Sequence, residues 1–205
     1  MPASLPKVLI SEDPIATLAT IVDISIAFEV NHILDIERFS EVQVASHAER
    51  PVARPYIKDY DAIPENRPAT WVDRFDTTAW GLLSARSAGR RIGSAVVAVE
   101  TPDLLEGRHN LAVLWDLRIA PDWRRQGVGT ALFQSVERWA MLRGQRHLRI
   151  ETQHINLPAC RLYQRMGCRL AAMARHAYPE FPDEVQLLWE KDLAPSRAEL
   201  PKEDR

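Results

Sequence analysis

The stretch from Arg124 to Phe133 (RRQGVGTALF) sets two glycines one residue apart, behind a pair of arginines and ahead of a helical pattern. Gly127 and Gly129 carry no side chain to block an approaching group, and glycine tolerates the positive φ of a tight turn. The first amides of a helix lack intrahelical acceptors, and the macrodipole adds roughly half a positive charge there. Such a stretch can hold a phosphate, with Arg124 and Arg125 adding charge beside the amides. The plainer alternative is a strand-to-helix turn with no ligand. Two acids, Asp116 and Glu151, interrupt apolar runs, LAVLWDLRI and HLRIET. A carboxylate there is costly without a partner or a purpose, so each is either a base or half of an ion pair, with Arg118 or Arg149.

The phosphate can be narrowed. A nucleoside-triphosphate loop needs a lysine after its second glycine, and this chain has none there. A dinucleotide fingerprint needs a third glycine for close helix packing, and Leu132 stands at that place. Glu151, at the end of the next strand, does lie about where a ribose-binding acid would.

The elements that position these groups read clearly from Trp80 onward. WGLLSARSAGRRIGSAVVAVE predicts a hairpin, with strands 80–86 and 91–100 around a turn at Ser87, Ala88 and Gly89. HNLAVLWDLRIA predicts a strand that stops at Pro121. Val128, Leu132, Val136, Trp139 and Ala140 recur on one helical face, with Gly144 as the C-terminal stop. HLRIET predicts a strand, and NLPACRLYQRM a helix capped by Asn156 with Pro158 in its first turn and Gly167 at its end. CRLAAMARHAY and EVQLLWEKDL predict two more strands around YPEFPDE. The unit from 111 to 152 requires parallel strands with a right-handed crossover. Upstream the pattern is weaker: residues 16–30 fit helix or strand, 30–48 alternate in pieces, and 50–71, with four prolines, read as a long loop of the kind that often carries function.

With 205 residues, 46% hydrophobic and 26% charged, the chain is expected to form one globular domain over 15–193, between a loose segment 1–14 and a flexible tail 194–205. A formal net charge of −2 argues against nucleic-acid binding as the main role. No window of eighteen apolar residues suits a membrane span, and the first thirty residues lack the pattern of a signal peptide. Cys160 and Cys168 have no metal spacing, so no metal is expected; reduced thiols in a cytoplasmic protein are the simpler reading. The six tryptophans read as scattered packing, His147 and His154 as surface residues, and RGQRHLR as a solvated basic face.

At this point the motifs resemble a known family. RRQGVG resembles the R/Q-x-x-G-x-G/A motif of the GNAT superfamily of N-acetyltransferases, and NLPACRLYQRMGC resembles that family's N-x-x-A-x-x-x-Y-x-x-x-G-F/C element through Asn156, Ala159, Tyr163, Gly167 and Cys168. The resemblance implies an α/β fold of GNAT type, with a mixed sheet splayed between the family's fourth and fifth strands and a coenzyme-binding core at about 110–170. It implies acetyl-coenzyme A as co-substrate. Arg124, Arg125, Gln126, Gly127, Val128, Gly129 and Thr130 would hold its pyrophosphate; Leu117, Arg118 and Ile119 would lie along its pantetheine arm, with Asn156, Ala159 and Tyr163 near that arm and the sulfur. The leaving thiolate needs a proton, which assigns Tyr163 as general acid. The attacking amine must lose one, which makes Glu151, and second Asp116, the candidate bases.

The similarity extends to streptothricin (nourseothricin-type) acetyltransferases, through ETQ-(x)2-N-x-PAC-x-x-Y, DEVQLLWEKDL, FEVNHILDIERF and RPYIKDYD. It implies a small-molecule acceptor bearing a primary amine and positive charge, met by Tyr60, Asp61, Tyr178 and Glu184. Where those enzymes carry a run of acids after KDY, this chain has DAIPENRPATW. Another small amine, a protein lysine, or a non-catalytic coenzyme A-binding module remain the alternatives, and a homodimer is left open.

Overall fold

The computed structural model describes residues 7–36, 49–106 and 108–193. In chain order, β1 (Leu9–Asp13) leads through a 3-10 helix (Ile15–Asp23) to β2 (Phe28–Leu34) and β3 (Glu49–Lys58). Two short 3-10 turns and α1 (Pro68–Arg74) precede β4 (Gly81–Ser87) and β5 (Arg90–Ala98). Then come α2 (Pro102–Leu105), β6 (Leu111–Ile119), α3 (Val128–Leu142), β7 (His147–Gln153), α4 (Leu157–Arg165), β8 (Arg169–Ala174) and β9 (Gln186–Asp192). Seven strands form one sheet in the order β1-β4-β5-β6-β7-β9-β8, and β2 pairs with β3 separately. β6 and β7 are parallel, joined by α3; the other described pairs are antiparallel.

The helical face expected from Val128 to Ala140 is buried against the sheet, where Leu132, Phe133 and Val136 join Ala95, Val97, Leu148, Ile150 and Trp189 in the larger core. Gly144 follows α3 at φ +77°, the left-handed position a helix stop requires. On the opposite face, the 3-10 helix, α1 and α2 cover a second core built on Leu82, Val96, Leu111 and Val113. Trp71, Trp80 and Trp115, read as scattered, meet there around Phe75 at ring separations of 5.3–5.9 Å.

Three upstream expectations change. The segment taken as a loose N-terminus contains β1, paired with β4 from Leu9 against Arg86 to Asp13 against Leu82. Little alternation marks this five-residue edge strand; what anchors it is Asp13, bonded to Arg86, Arg91 and Ser84 and held down at about pKa 2 chiefly by Arg86. Residues 49–58, read as loop, form β3. It is largely exposed, so no alternation betrays it, and Pro51 and Pro55 are tolerated because a two-stranded ribbon leaves one edge of each strand without ladder bonds. The ambiguous stretch 16–30 divides into the 3-10 helix and the start of β2. Residues 1–6, 37–48 and the tail 194–205 lie outside the described residues.

A bulge in β6 orients the site. Val97 lies opposite Leu114 but Val96 opposite Asp116, so Trp115 is the extra residue. Beyond it Leu117 and Ile119 pack with the α3 core, while Arg118 reaches the carbonyl of Ile24 on the opposite face.

Gly81 abuts the Trp139 ring so closely that a Cβ there would stand 2.4 Å from it. Gly81→Ala is expected to lower stability by about 1–3 kcal/mol in urea denaturation, through overpacking of a close-packed core. In a Trp139→Leu background most of that added loss should disappear, a coupling that a double-mutant cycle reads directly.

Candidate active site

Pairing between β6 and β7 runs from Leu111–His147 to Leu114–Ile150 and stops. β6 stays bonded to β5 as far as Ile119, and β7 to β9 as far as Gln153. The two strands therefore diverge, and their facing edges beyond residues 114 and 150 have no ladder partner. A cleft of about 1300 Å³ passes through this gap. Leu117, Ile119, Gly127, Gly129, Asn156, Ala159 and Tyr163 line its α3–α4 half; Glu151, Tyr178, Phe181, Glu184, Tyr60 and Trp115 line the other.

The glycine loop ends where α3 begins. Gly127 caps the helix at φ +84° and Arg125 also has positive φ, 62°. The first helical bond is Ala131 N–H to Gly127 C=O, 3.0 Å. Among the described residues no backbone carbonyl accepts from the amides of Gln126, Gly127, Val128, Gly129 or Thr130. A Cβ at Gly127 would meet nothing within 4 Å, and one at Gly129 only ordinary contact with Leu162 and Ile119, at 3.5–3.9 Å. The chain's own packing thus does not demand glycine at 129, whereas a ligand drawn against the amides does. The five amides, opening a fifteen-residue helix, fit a pyrophosphate.

The side chains of this loop divide. Arg125 is exposed, lines the cleft and has no ion pair among the described residues. Arg124 is a strut, donating to Ile119 C=O at 3.0 Å and Ser25 C=O at 3.1 Å, with its pKa lowered by burial. Gln126 donates to Asp122 C=O at 2.7 Å and Val128 is buried in the core, and neither lines the cleft. RGQRHLR lies beyond the far end of α3, with Arg143 bonded to Glu12 and stacked on Trp139.

At the N-terminus of α4, Asn156 Oδ1 accepts from Ala159 N–H at 3.3 Å, the cap its position predicts. Tyr163 is 6% exposed, between Phe133 and Trp189 at ring separations of 6.1 and 6.3 Å. Its hydroxyl has no hydrogen bond among the described residues, and burial raises its pKa above the usual tyrosine value. Cys160 and Cys168 are free thiols, pushed up to about 12 by burial, so neither is a ready nucleophile.

The acids behave differently from one another. Asp116 is buried and takes Arg118 Nε on both oxygens, at 2.9 and 3.1 Å; burial raises its pKa against the pull of that arginine. Of its two expected roles, base or half of an ion pair, the second is the one observed. Arg118, 1% exposed, also grips Asp61 through both terminal nitrogens, one at 2.9 Å. Both Arg118 and Asp61 line the cleft, with the guanidinium committed to the two carboxylates and the Asp61 charge already paired. Glu184 is likewise committed, to the Lys58 ammonium and to the Tyr60 hydroxyl at 2.7 Å. Glu151 alone of the four has no cationic partner among the described residues. It is exposed and accepts from the Tyr178 hydroxyl at 2.7 Å, which in turn accepts from Gln153 at 3.1 Å. Arg149, considered as its partner, pairs instead with Glu106 and Glu190.

The family model of the acetyltransferase (GNAT) family matches residues 39–168. The chain belongs to this family. It is an acetyl-coenzyme A-dependent N-acetyltransferase, and the splayed sheet is the fold the motifs implied. Streptothricin acetyltransferase A of Bacillus subtilis (strain 168) is 26% identical over 148 residues, 71% of this chain and 79% of that one. A crystal structure of nourseothricin acetyltransferase superposes with a TM-score of 0.69 at 21% identity, covering 91% of this chain and 99% of that one. A Bacillus anthracis str. Ames protein assigned as a streptothricin acetyltransferase, crystallised with acetyl coenzyme A, gives 0.69 at 22%, covering 92% and 99%. Among the described residues no helix is long and apolar enough to cross a membrane.

His154, expected at the surface, is 3% exposed. Its Nδ1 accepts from Val185 N–H at 3.1 Å, and its backbone bonds Val185 and Leu34. Burial, then Arg50, lowers its pKa from 6.5. A lowered histidine pKa means the unfolded chain binds the proton first, so this contribution to stability is complete above about pH 6.5 and is lost as pH falls below it. Urea midpoints between pH 5 and 8 should show that decline in the wild type, and a shallower one in His154→Gln.

Proposed function

We propose that the acceptor is a primary amine on a small cationic molecule of the streptothricin type, and that Glu151 and Tyr163 serve the two proton transfers. The observation that carries this reading is the pairing state of the carboxylates: at the gap between β6 and β7, Glu151 has no cationic partner among the described residues and lines the same cleft as Tyr163, whose hydroxyl has no hydrogen bond among them. Glu65 and Glu180, exposed on the cleft's rim with no ion pair among the described residues, extend the negative field around it. The relatives named for streptothricin supply the chemical class of the acceptor.

Acetyl-coenzyme A brings an acetyl thioester; the amides of Gln126 to Thr130 and the Arg125 side chain hold its pyrophosphate, and the open edge of β6 at Leu117 and Ile119 receives the pantetheine amides. Glu151, directly or through water, takes the proton of the acceptor ammonium, freeing the lone pair that attacks the carbonyl carbon. The C–S bond then breaks and the sulfur leaves as thiolate. Burial raises the cost of a free tyrosinate, so Tyr163 gives its proton to the sulfur as the C–S bond breaks while the second proton of the now positive acceptor nitrogen passes through water to the phenolic oxygen; thiol, amide and phenol are neutral at the end, and Glu151 returns the first proton to solvent. The Tyr178 hydroxyl holds the Glu151 carboxylate in place.

The test is release of free thiol from acetyl-coenzyme A on adding streptothricin beside a panel of other amines. Turnover with the panel but not with streptothricin would remove the proposed acceptor while leaving the acetyltransferase. Tyr163→Phe is expected to lower kcat by roughly 100-fold or more with the KM for acetyl-coenzyme A unchanged. Glu151→Gln should abolish the acidic limb of the pH–rate profile, and an unmoved limb would exclude Glu151 as base.

A further inference from the structure

Lys58 is the least expected occupant of the acceptor half. It ends β3, is 9% exposed, and places its ammonium 3.4 Å from the centre of the Phe181 ring and 4.7 Å from that of Tyr60. The same ammonium is paired with Glu184, whose second oxygen takes the Tyr60 hydroxyl. Two aromatic faces and a buried carboxylate are the chemistry that recognises an alkylammonium ion. Tyr60, Phe181 and Glu184 all line the cleft, while Lys58 does not, so the lysine fills the box from behind and the box opens toward the acceptor. A buried ion pair is a poor stabiliser, since apolar side chains of similar volume often serve as well or better; its presence on the wall of a binding cleft needs another reason.

We infer that Tyr60, Phe181 and Glu184 form an alkylammonium subsite of the acceptor cleft that the chain fills with its own Lys58, and that Lys58 thereby sets specificity by closing this box to a second ammonium group of the acceptor. The inference rests on reading the cleft as an amine-acceptor site. With Lys58 in place the box is neutral, and the acceptor is held through Glu151 and the rim acids. Without Lys58, a carboxylate and two ring faces become available to the far end of a diamine.

Lys58→Ala removes a propylammonium-shaped piece, so n-propylammonium chloride is the probe. It should raise the Tm of Lys58→Ala saturably, by a few degrees, while 1-propanol and sodium chloride at equal concentration do not and the wild type does not respond. Adding Glu184→Gln to Lys58→Ala should abolish the rise. Equal responses of variant and wild type, or equal effects of the alcohol and the ammonium salt, would overturn the inference. Should Lys58→Ala not fold in plain buffer, its refolding yield gives the same contrast: recovery with the ammonium salt alone supports the box, and recovery with neither refutes it. The Tm readout needs no acetyl transfer, so it stands apart from any failure of the proposed acceptor. In the kinetic arm, the ratio of kcat/KM for a diamine over the matching monoamine should rise several-fold in Lys58→Ala, and an unchanged ratio would remove Lys58 from specificity.

Discussion

Two parallel strands that part after four paired residues leave amides and carbonyls unmatched in the middle of a sheet, and the rest of this molecule is arranged around that break. Each such group, if dry, costs about 1–3 kcal/mol. The gap persists because both strands are secured on their outer sides: β5 holds β6 through Ile119, and β9 holds β7 through Gln153. Closing it would move two strand systems, not two strands. α3, the crossover between β6 and β7, must begin just past the open end of β6, and this is why the glycine loop and its unused amides lie where the sheet opens. A ladder defect and a helix terminus, both short of hydrogen-bond partners, face one cleft.

The same cleft is bounded, on the side proposed for the acceptor, by ion pairs that join distant parts of the chain. Arg118 ties Asp61 to Asp116, and Lys58 ties β3 to Glu184, 126 residues away. These pairs decide which carboxylates remain to meet a cation. Acidic residues along a binding wall do not add up to a negative field when their charge is already met; Glu151, bonded to a neutral hydroxyl, keeps its own.

The coenzyme half was legible because its signals are local. Glycine spacing, a helix cap at Asn156 and the burial stripe from Val128 to Ala140 each depend on residues within a turn or two of one another, and the structure places all of them as their spacing requires. The acceptor half was not, because its determinants are pairings between segments far apart. Nothing near Asp61 announces Arg118 as its partner, and Lys58 sits in a run, PYIKDYD, whose charge has no visible destination in sequence. β3 escaped for a related reason: exposed along most of its length, it carries no buried stripe of its own to impose alternation. His154 looked like a surface residue since its hydrogen-bond partners, Leu34 at the end of β2 and Val185 just before β9, lie far from it in sequence.

The bulge at Trp115 has a consequence for how such an enzyme can change. By shifting β6 half a period, it sends Leu117 and Ile119 toward one side of the sheet and Arg118 toward the other. One strand thus serves two clients through alternate residues. On the proposed reading, substitutions in the segments around Asp61 and Glu184 redraw the acceptor wall while leaving the glycine loop and the open edge of β6 unchanged. The two halves of the site are in this sense separately heritable, and a new acceptor can be acquired by altering loops while the thioester-handling half is kept intact.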